Sequence, residues 1–243
     1  MKKLILISLI TGIVFSLNAE TLYEWNFDDN EGTETSAVKN QGILKGTWHD
    51  DFEDTATNGD GVLQTTRGTD GVSNVYVPIA WPEEENLPEK LWVVIKINEW
   101  NFRGRSENET IRIGLTDSDH ESRPRVVAQV RMERTDKNQV SILAEAFGSG
   151  SYGMSELPLF SAEQTEPLHL VLQVDFKEHQ FELFLEKENV DYHFLGEGSI
   201  SPERSPRYLR LGLAGNFGAS DESFSLDHIS LITHNPLLEN DSE

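Results

Sequence analysis

The chain reads as an all-β protein, a two-sheet antiparallel β-sandwich, on three observations. From Thr21 onward, short runs of alternating apolar and polar residues recur between Gly, Pro, Asn and Asp, which is the period of strands with one buried face. Few stretches of helical period compete with them. The third observation is quantity. In a chain of 243 residues, with each fully buried Leu, Ile, Val or Phe contributing roughly 1.5–3 kcal/mol, this many one-faced strands hold two packed sheets without a crosslink.

Ahead of the strands, Lys2 and Lys3, the apolar run Leu4 to Leu17 and the small-residue stop at Asn18-Ala19 have the organisation of a cleavable secretory signal. The run is shorter than the roughly 20 residues needed to span a bilayer, and no second run follows it. The expected organisation is a signal over 1–19, one sandwich domain over 20–234 and a frayed acidic tail over 235–243, in a secreted protein without a membrane span.

The strands follow in order. Leu91, Val93, Ile95 and Ile97 share one face of a run whose other face carries Trp92, Val94, Lys96 and Asn98. Ile111, Ile113 and Leu115 oppose Arg112, Gly114 and Thr116, and Val126, Ala128, Val130 and Met132 oppose Val127, Gln129, Arg131 and Glu133. Gln139 to Phe147 is the next strand. Leu168, Leu170, Leu172, Val174 and Phe176 give the clearest two-residue period, and a turn at Lys177-Glu178 joins them to Gln180 to Glu186 as a hairpin. Tyr208 to Ala214 and Phe224 to Thr233 close the set. There is no fixed-period repeat and no low-complexity linker.

Composition excludes several classes. The chain has no cysteine, which removes disulfides, thiolate metal sites, cysteine nucleophiles and a lipid-attachment cysteine. Its formal net charge is -22, so nucleic acid is not an expected partner: an acidic surface lacks the basic footprint that phosphate binding requires.

Leu22-Tyr23-Glu24-Trp25-Asn26-Phe27-Asp28-Asp29-Asn30-Glu31-Gly32, then Asn40-Gln41-Gly42-Ile43-Leu44-Lys45-Gly46, and near the end Phe224-Ser225-Leu226-Asp227-His228-Ile229-Ser230-Leu231 resemble the concanavalin A-like jelly-roll superfamily. That group includes laminin-G-like domains, carbohydrate-binding modules, glycosidases and polysaccharide lyases. The resemblance implies a jelly roll with one sheet curved into a groove that often holds sugar. It further implies that Asp28 and Asp227, acids of the first and last strands, can share a structural Ca²⁺ through hard oxygen ligands. The acidic loop Asp50, Asp51, Glu53, Asp54, Asn58, Asp60 lacks EF-hand spacing and reads as a solvated loop.

Arginines cluster in an otherwise acidic chain. By alternation Arg112, Gln129, Arg131 and Arg210 point away from the apolar set of their strands, where they either line the groove or pair with nearby acids such as Glu107, Glu109 and Glu133. A guanidinium fork suits a uronate carboxylate or a sulfate, because it donates two parallel hydrogen bonds. Of the five tryptophans, Trp25 reads as core, while Trp92 and Trp100 are the candidate platforms on which a pyranose ring stacks.

Two enzyme classes were weighed. A glycoside hydrolase needs paired carboxylates, yet Glu182 and Glu186 on one strand stand about 13 Å apart, and the Glu-x-Asp-x-x-Glu pattern of jelly-roll glucanases is missing. A uronate lyase needs a donor to neutralise the carboxylate and groups to move protons. Gln129, Arg131 and Arg112 suit the first task, and Tyr152, His169 or Tyr208 the second. However, Gln129-Val130-Arg131 puts arginine where the alginate-lyase pattern has histidine. The sequence reading is a secreted protein that binds polysaccharide, an anionic one, on its curved sheet. The alternatives are a polysaccharide lyase acting through Gln129, Arg131 and Tyr152, and a structural or adhesive envelope protein.

Overall fold

The computed structural model describes residues 20–27, 33, 37–44, 46–50, 55–57, 63–65, 72–81, 87–102, 110–118, 125–136, 138–146, 159–187, 191–214 and 223–241. The signal segment 1–19, Asp28, Tyr152 and most of the acidic loop after Asp50 lie outside the described residues. Sixteen strands run in order: β1 (Thr21–Trp25), β2 (His49–Asp50), β3 (Thr55–Thr57), β4 (Leu63–Thr65), β5 (Val72–Pro78), β6 (Lys90–Asn101), β7 (Thr110–Thr116), β8 (Val126–Asp136), β9 (Gln139–Glu145), β10 (Leu159–Ser161), β11 (Glu163–Gln164), β12 (Leu168–Asp175), β13 (Gln180–Lys187), β14 (Asp191–Ser199), β15 (Tyr208–Ala214) and β16 (Ser223–Ile232).

They build two antiparallel sheets. The nine-stranded sheet has the order β14-β13-β12-β6-β16-β4-β3, with β1 added on β16 and β11 on β6; the seven-stranded sheet has the order β10-β9-β8-β7-β15-β5-β2. Alternation decides the inner faces. Leu91, Val93, Ile95, Ile97, Leu170 and Leu172 of one sheet meet Ile113, Leu115, Val130, Ile142, Leu209 and Leu211 of the other in a continuous buried cluster, the sandwich packing expected of two one-faced sheets.

The β12–β13 hairpin shows how local chemistry sets a turn. Asp175 Oδ1 accepts the backbone N–H groups of Lys177 at 3.0 Å and Glu178 at 2.8 Å, and its Oδ2 lies 2.9 Å from Lys90 Nζ. An aspartate that turns the chain this way is a recurrent turn device. The Asn40-Gln41-Gly42 motif works similarly: Asn40 Oδ1 accepts from the N–H of Glu24 and of Gly42, and its amide donates to Leu44 O. Asn40 thereby ties this loop to β1.

Two irregularities redirect side chains. Along the β6–β16 ladder Leu226 pairs with Ile97 and Ser225 with Glu99, so Asn98 is an extra residue on β6; next to it His228 pairs with Lys96, so Asp227 is an extra residue on β16. A bulge inverts the alternation beyond it. Trp100, expected as a sugar-stacking platform, therefore turns inward and is buried in the core, its Nε1 donating to Ser161 O at 3.0 Å. Residues 236–241 of the acidic tail form a 3₁₀ turn, from which Leu237 packs on Trp92, Val171 and Ile232. No helix among the described residues is long and apolar enough to cross a membrane.

Candidate functional site

The centre of the seven-stranded sheet carries the polar face of interest. On β7, β8 and β15 the apolar residues Ile111, Ile113, Val130, Met132, Leu209 and Leu211 enter the core, so Arg112, Gly114, Gln129, Arg131, Glu133, Arg210 and Gly212 take the other side. Ladder register brings residues distant in sequence into line. His49 pairs with Tyr76, Tyr76 with Arg210, Arg210 with Gly114, Gly114 with Gln129, and Gln129 with Glu145. The next row runs Gly212, Arg112, Arg131, Leu143.

Glu145 anchors this face. Gln129 Nε2 donates to its Oε1 at 2.5 Å, Arg131 Nη1 lies 3.3 Å from its Oε2, and Arg112 Nε lies 3.8 Å from Oε1. Arg131 also reaches Glu133 Oε2 through Nη2 at 2.6 Å. Its Nε is buried without an acceptor. Burial pulls the Arg112 pKa down; Glu145 opposes that, Arg131 adds to it and Glu133 opposes it in turn. These shifts are what two guanidiniums crowded on shared carboxylates produce.

Gln129, Glu145 and Arg210 are only 2, 3 and 3 % exposed although they point away from the core. Glycine shapes their surroundings. A Cβ on Gly114 would meet Gln129 Cα at 2.5 Å, and one on Gly212 would meet Arg210 Nη2 at 2.8 Å and Cζ at 3.0 Å. The Arg210 guanidinium thus lies folded along its own strand over Gly212. Since Gly212 pairs with Arg112, the heads of Arg210, Arg112 and Arg131 succeed one another across three strands.

An aromatic group borders them. Tyr76 stacks on His49 with ring centroids 5.1 Å apart and meets Tyr208 edge-on at 5.8 Å. Sequence reasoning missed Tyr76 and Glu145 as members of this face. The signal was present for both: Tyr76 lies between Val75 and Val77, and Glu145 follows Ala144, all three of which enter the core.

The structure groups Arg112, Gln129, Arg131 and Arg210, keeps Tyr208 beside them, and separates Trp92, Trp100 and Asp227 from them. Trp92 is on the outer face of the opposite sheet, covered by Leu237, and Trp100 is in the core. Asp227 is exposed at its bulge, and no three His, Asp or Glu side chains converge to hold a metal ion among the described residues. Asp28, the other acid expected to hold Ca²⁺, lies outside the described residues.

No family model and no curated protein matches the sequence. Solved structures match it in fold. The carbohydrate recognition domain of Emp47p superimposes with a TM-score of 0.55 at 8% identity, covering 88% of this chain and 96% of that one. An endo-1,3-beta-glucanase from Streptomyces sioyaensis gives 0.55 at 11% identity, covering 89% and 96%. The metal-free exoplasmic/lumenal domain of VIP36 gives 0.53 at 6% identity, covering 89% and 94%. The chain has the concanavalin A-like jelly-roll fold.

Proposed function

We propose that this is an exported saccharide-binding protein that recognises an anionic polysaccharide on the outer face of its seven-stranded sheet. The observation that carries the reading is the line of guanidiniums from Arg210 through Arg112 to Arg131. Among the described residues of that face Arg131 meets Glu133 and Glu145, and Arg112 lies near Glu145, within a chain of net charge -22. Fork-shaped donors grouped in this way suit carboxylate or sulfate groups on a sugar. The Tyr76, Tyr208 and His49 rings beside it supply the flat apolar surface that a pyranose uses. The fold supports saccharide binding by analogy alone, and the recognition chemistry lies in the site.

Binding fits the geometry better than catalysis does. Among the described residues Gln129 is committed to Glu145, and Glu133 and Glu145 are held by Arg131, so these groups are engaged with one another and not free to take a proton from a substrate.

Affinity electrophoresis through gels containing alginate, glucuronan or a neutral 1,3-β-glucan tests the proposal. Retardation by the uronate polymers and not by the glucan is the expected result; equal migration in all gels overturns it. Incubation with the same polymers gives a second readout, because a rise in ultraviolet absorbance from an unsaturated product would identify a lyase instead.

A further inference from the structure

The nine-stranded sheet also has a polar feature on its outer face. Lys96 on β6 pairs with His169 on β12 and His228 on β16, and one step along the same strands Val94 pairs with Val171 and Ser230. Ser230 in turn pairs with Glu24 on β1. Above this floor opens a cavity of about 230 Å³, whose lining includes Glu24, Val94, Lys96, His228, Ser230 and Pro236. At ~30 Å³ per water that is room for roughly eight waters, the scale of one sugar ring.

The chemistry of the lining is mixed in a definite way. His169 Nδ1 is engaged by Glu186 Oε2 at 2.6 Å, and His228 Nδ1 by Asn26 Oδ1 at 2.5 Å. With the Asn26 carbonyl as acceptor, His228 Nδ1 carries the proton and its Nε2 is left as an acceptor. Lys96 is half-buried between the two imidazoles and has no ion-pair partner among the described residues. An ammonium donor, an imidazole acceptor, the Ser230 hydroxyl and the apolar walls of Val94 and Pro236 therefore converge on one small space.

We infer that this cavity is a second binding site, separate from the arginine face, for a small hydroxylated carboxylate of monosaccharide size. Lys96 takes the carboxylate, His228 Nε2 and Ser230 take hydroxyl groups, and Val94 and Pro236 cover the C–H face. The site does not depend on the polysaccharide reading, since it lies on the opposite sheet.

Glucuronate is the probe, with glucose lacking the charge and acetate lacking the hydroxyls. Imidazole NMR of the whole chain locates the ligand. His228 faces Lys96 on β6, His169 on β12, Glu24 on β1 and His234 beyond β16, so a ligand held by Lys96 and His228 Nε2 changes the surroundings of its ring. Glucuronate should shift the His228 ring resonances saturably at neutral pH, whereas glucose and acetate should bind at least roughly tenfold more weakly, about 1.4 kcal/mol. Lys96→Met should abolish the glucuronate effect while leaving the melting temperature and polymer retardation in place, and Arg112→Ala should do the reverse. His228 ring resonances that stay put at saturating glucuronate overturn the inference without any variant, as does binding that Lys96→Met leaves unchanged.

Discussion

The Arg210 guanidinium lies over Gly212, two residues along its own strand, so that a single added methyl group at 212 would stand 2.8 Å from Arg210 Nη2. A bulky guanidinium side chain has been given a glycine to lie on, and this brings its charge to Arg112 across the ladder. The position of the charge, as much as its presence, is what the anionic-glycan reading depends on.

Gly212→Ala should therefore displace the Arg210 head and weaken retention by uronate polymers by roughly tenfold, about 1.4 kcal/mol. The accompanying stability loss should be that of mild overpacking, about 1–3 kcal/mol. Affinity electrophoresis beside denaturant melts separates the two effects. Unchanged polymer binding would show that the Arg210 head takes no part in it.

Arg131 and Arg112 should behave differently although they are register partners. Arg131→Ala strips buried Glu145 of its 3.3 Å ion pair and Glu133 of its 2.6 Å pair, and breaking a buried pair in this way costs about 3–5 kcal/mol. Arg112 is 3.8 Å from Glu145, so Arg112→Ala should lose uronate binding at a smaller cost, about 1 kcal/mol. Arg112 is thus the cleaner probe of recognition, read by binding and thermal melts on the same samples.

Trp100 and Tyr76 make a second contrast. Trp100→Ala removes a core indole and should cost about 3–5 kcal/mol, with no preference between uronate and neutral polymers. Tyr76→Ala removes a half-buried ring of the aromatic border and should weaken uronate retention with less loss of stability. Chemical denaturation and gel retardation of both variants test the assignment.

Burial, then Lys96 and His169, push the His228 pKa down from 6.5 to about 4. The unfolded chain then binds the proton more readily than the folded one, so this stability is complete above about pH 6.5 and is lost as pH falls toward 4. At ~1.4 kcal/mol per unit the loss is about 3 kcal/mol, and His228→Gln should flatten that part of the curve. The Asp175 pKa is also lowered: against burial, which raises it, the N–H of Glu178, Lys90 and the N–H of Lys177 hold the charged form. Its share disappears at more acidic pH, as pH falls from about 3.8. Denaturation midpoints across pH 7 to 3 resolve the two windows.

Much of the architecture was legible in the residues. Alternation marked β7, β8, β12, β13 and β15 almost to their ends, because a strand with one face in the core must alternate whatever its neighbours are. It also placed Arg112, Gln129, Arg131 and Arg210 outward, each from its own strand. Strands β2, β3, β4, β5, β10, β11 and β14 were not singled out. On β14, Phe194 is exposed and Gly196 is buried, so apolar character does not track burial there.

Tertiary structure decided the rest. Sheet order places β15 beside β7 across nearly a hundred residues of chain, and only that order makes Arg210 a neighbour of Arg112. The bulges at Asn98 and Asp227 invert a face in mid-strand, turning Trp100 into the core and leaving Asp227 exposed. Period-two reasoning fails at such points because a bulge belongs to a pair of strands, and a single strand carries no record of its partner's register.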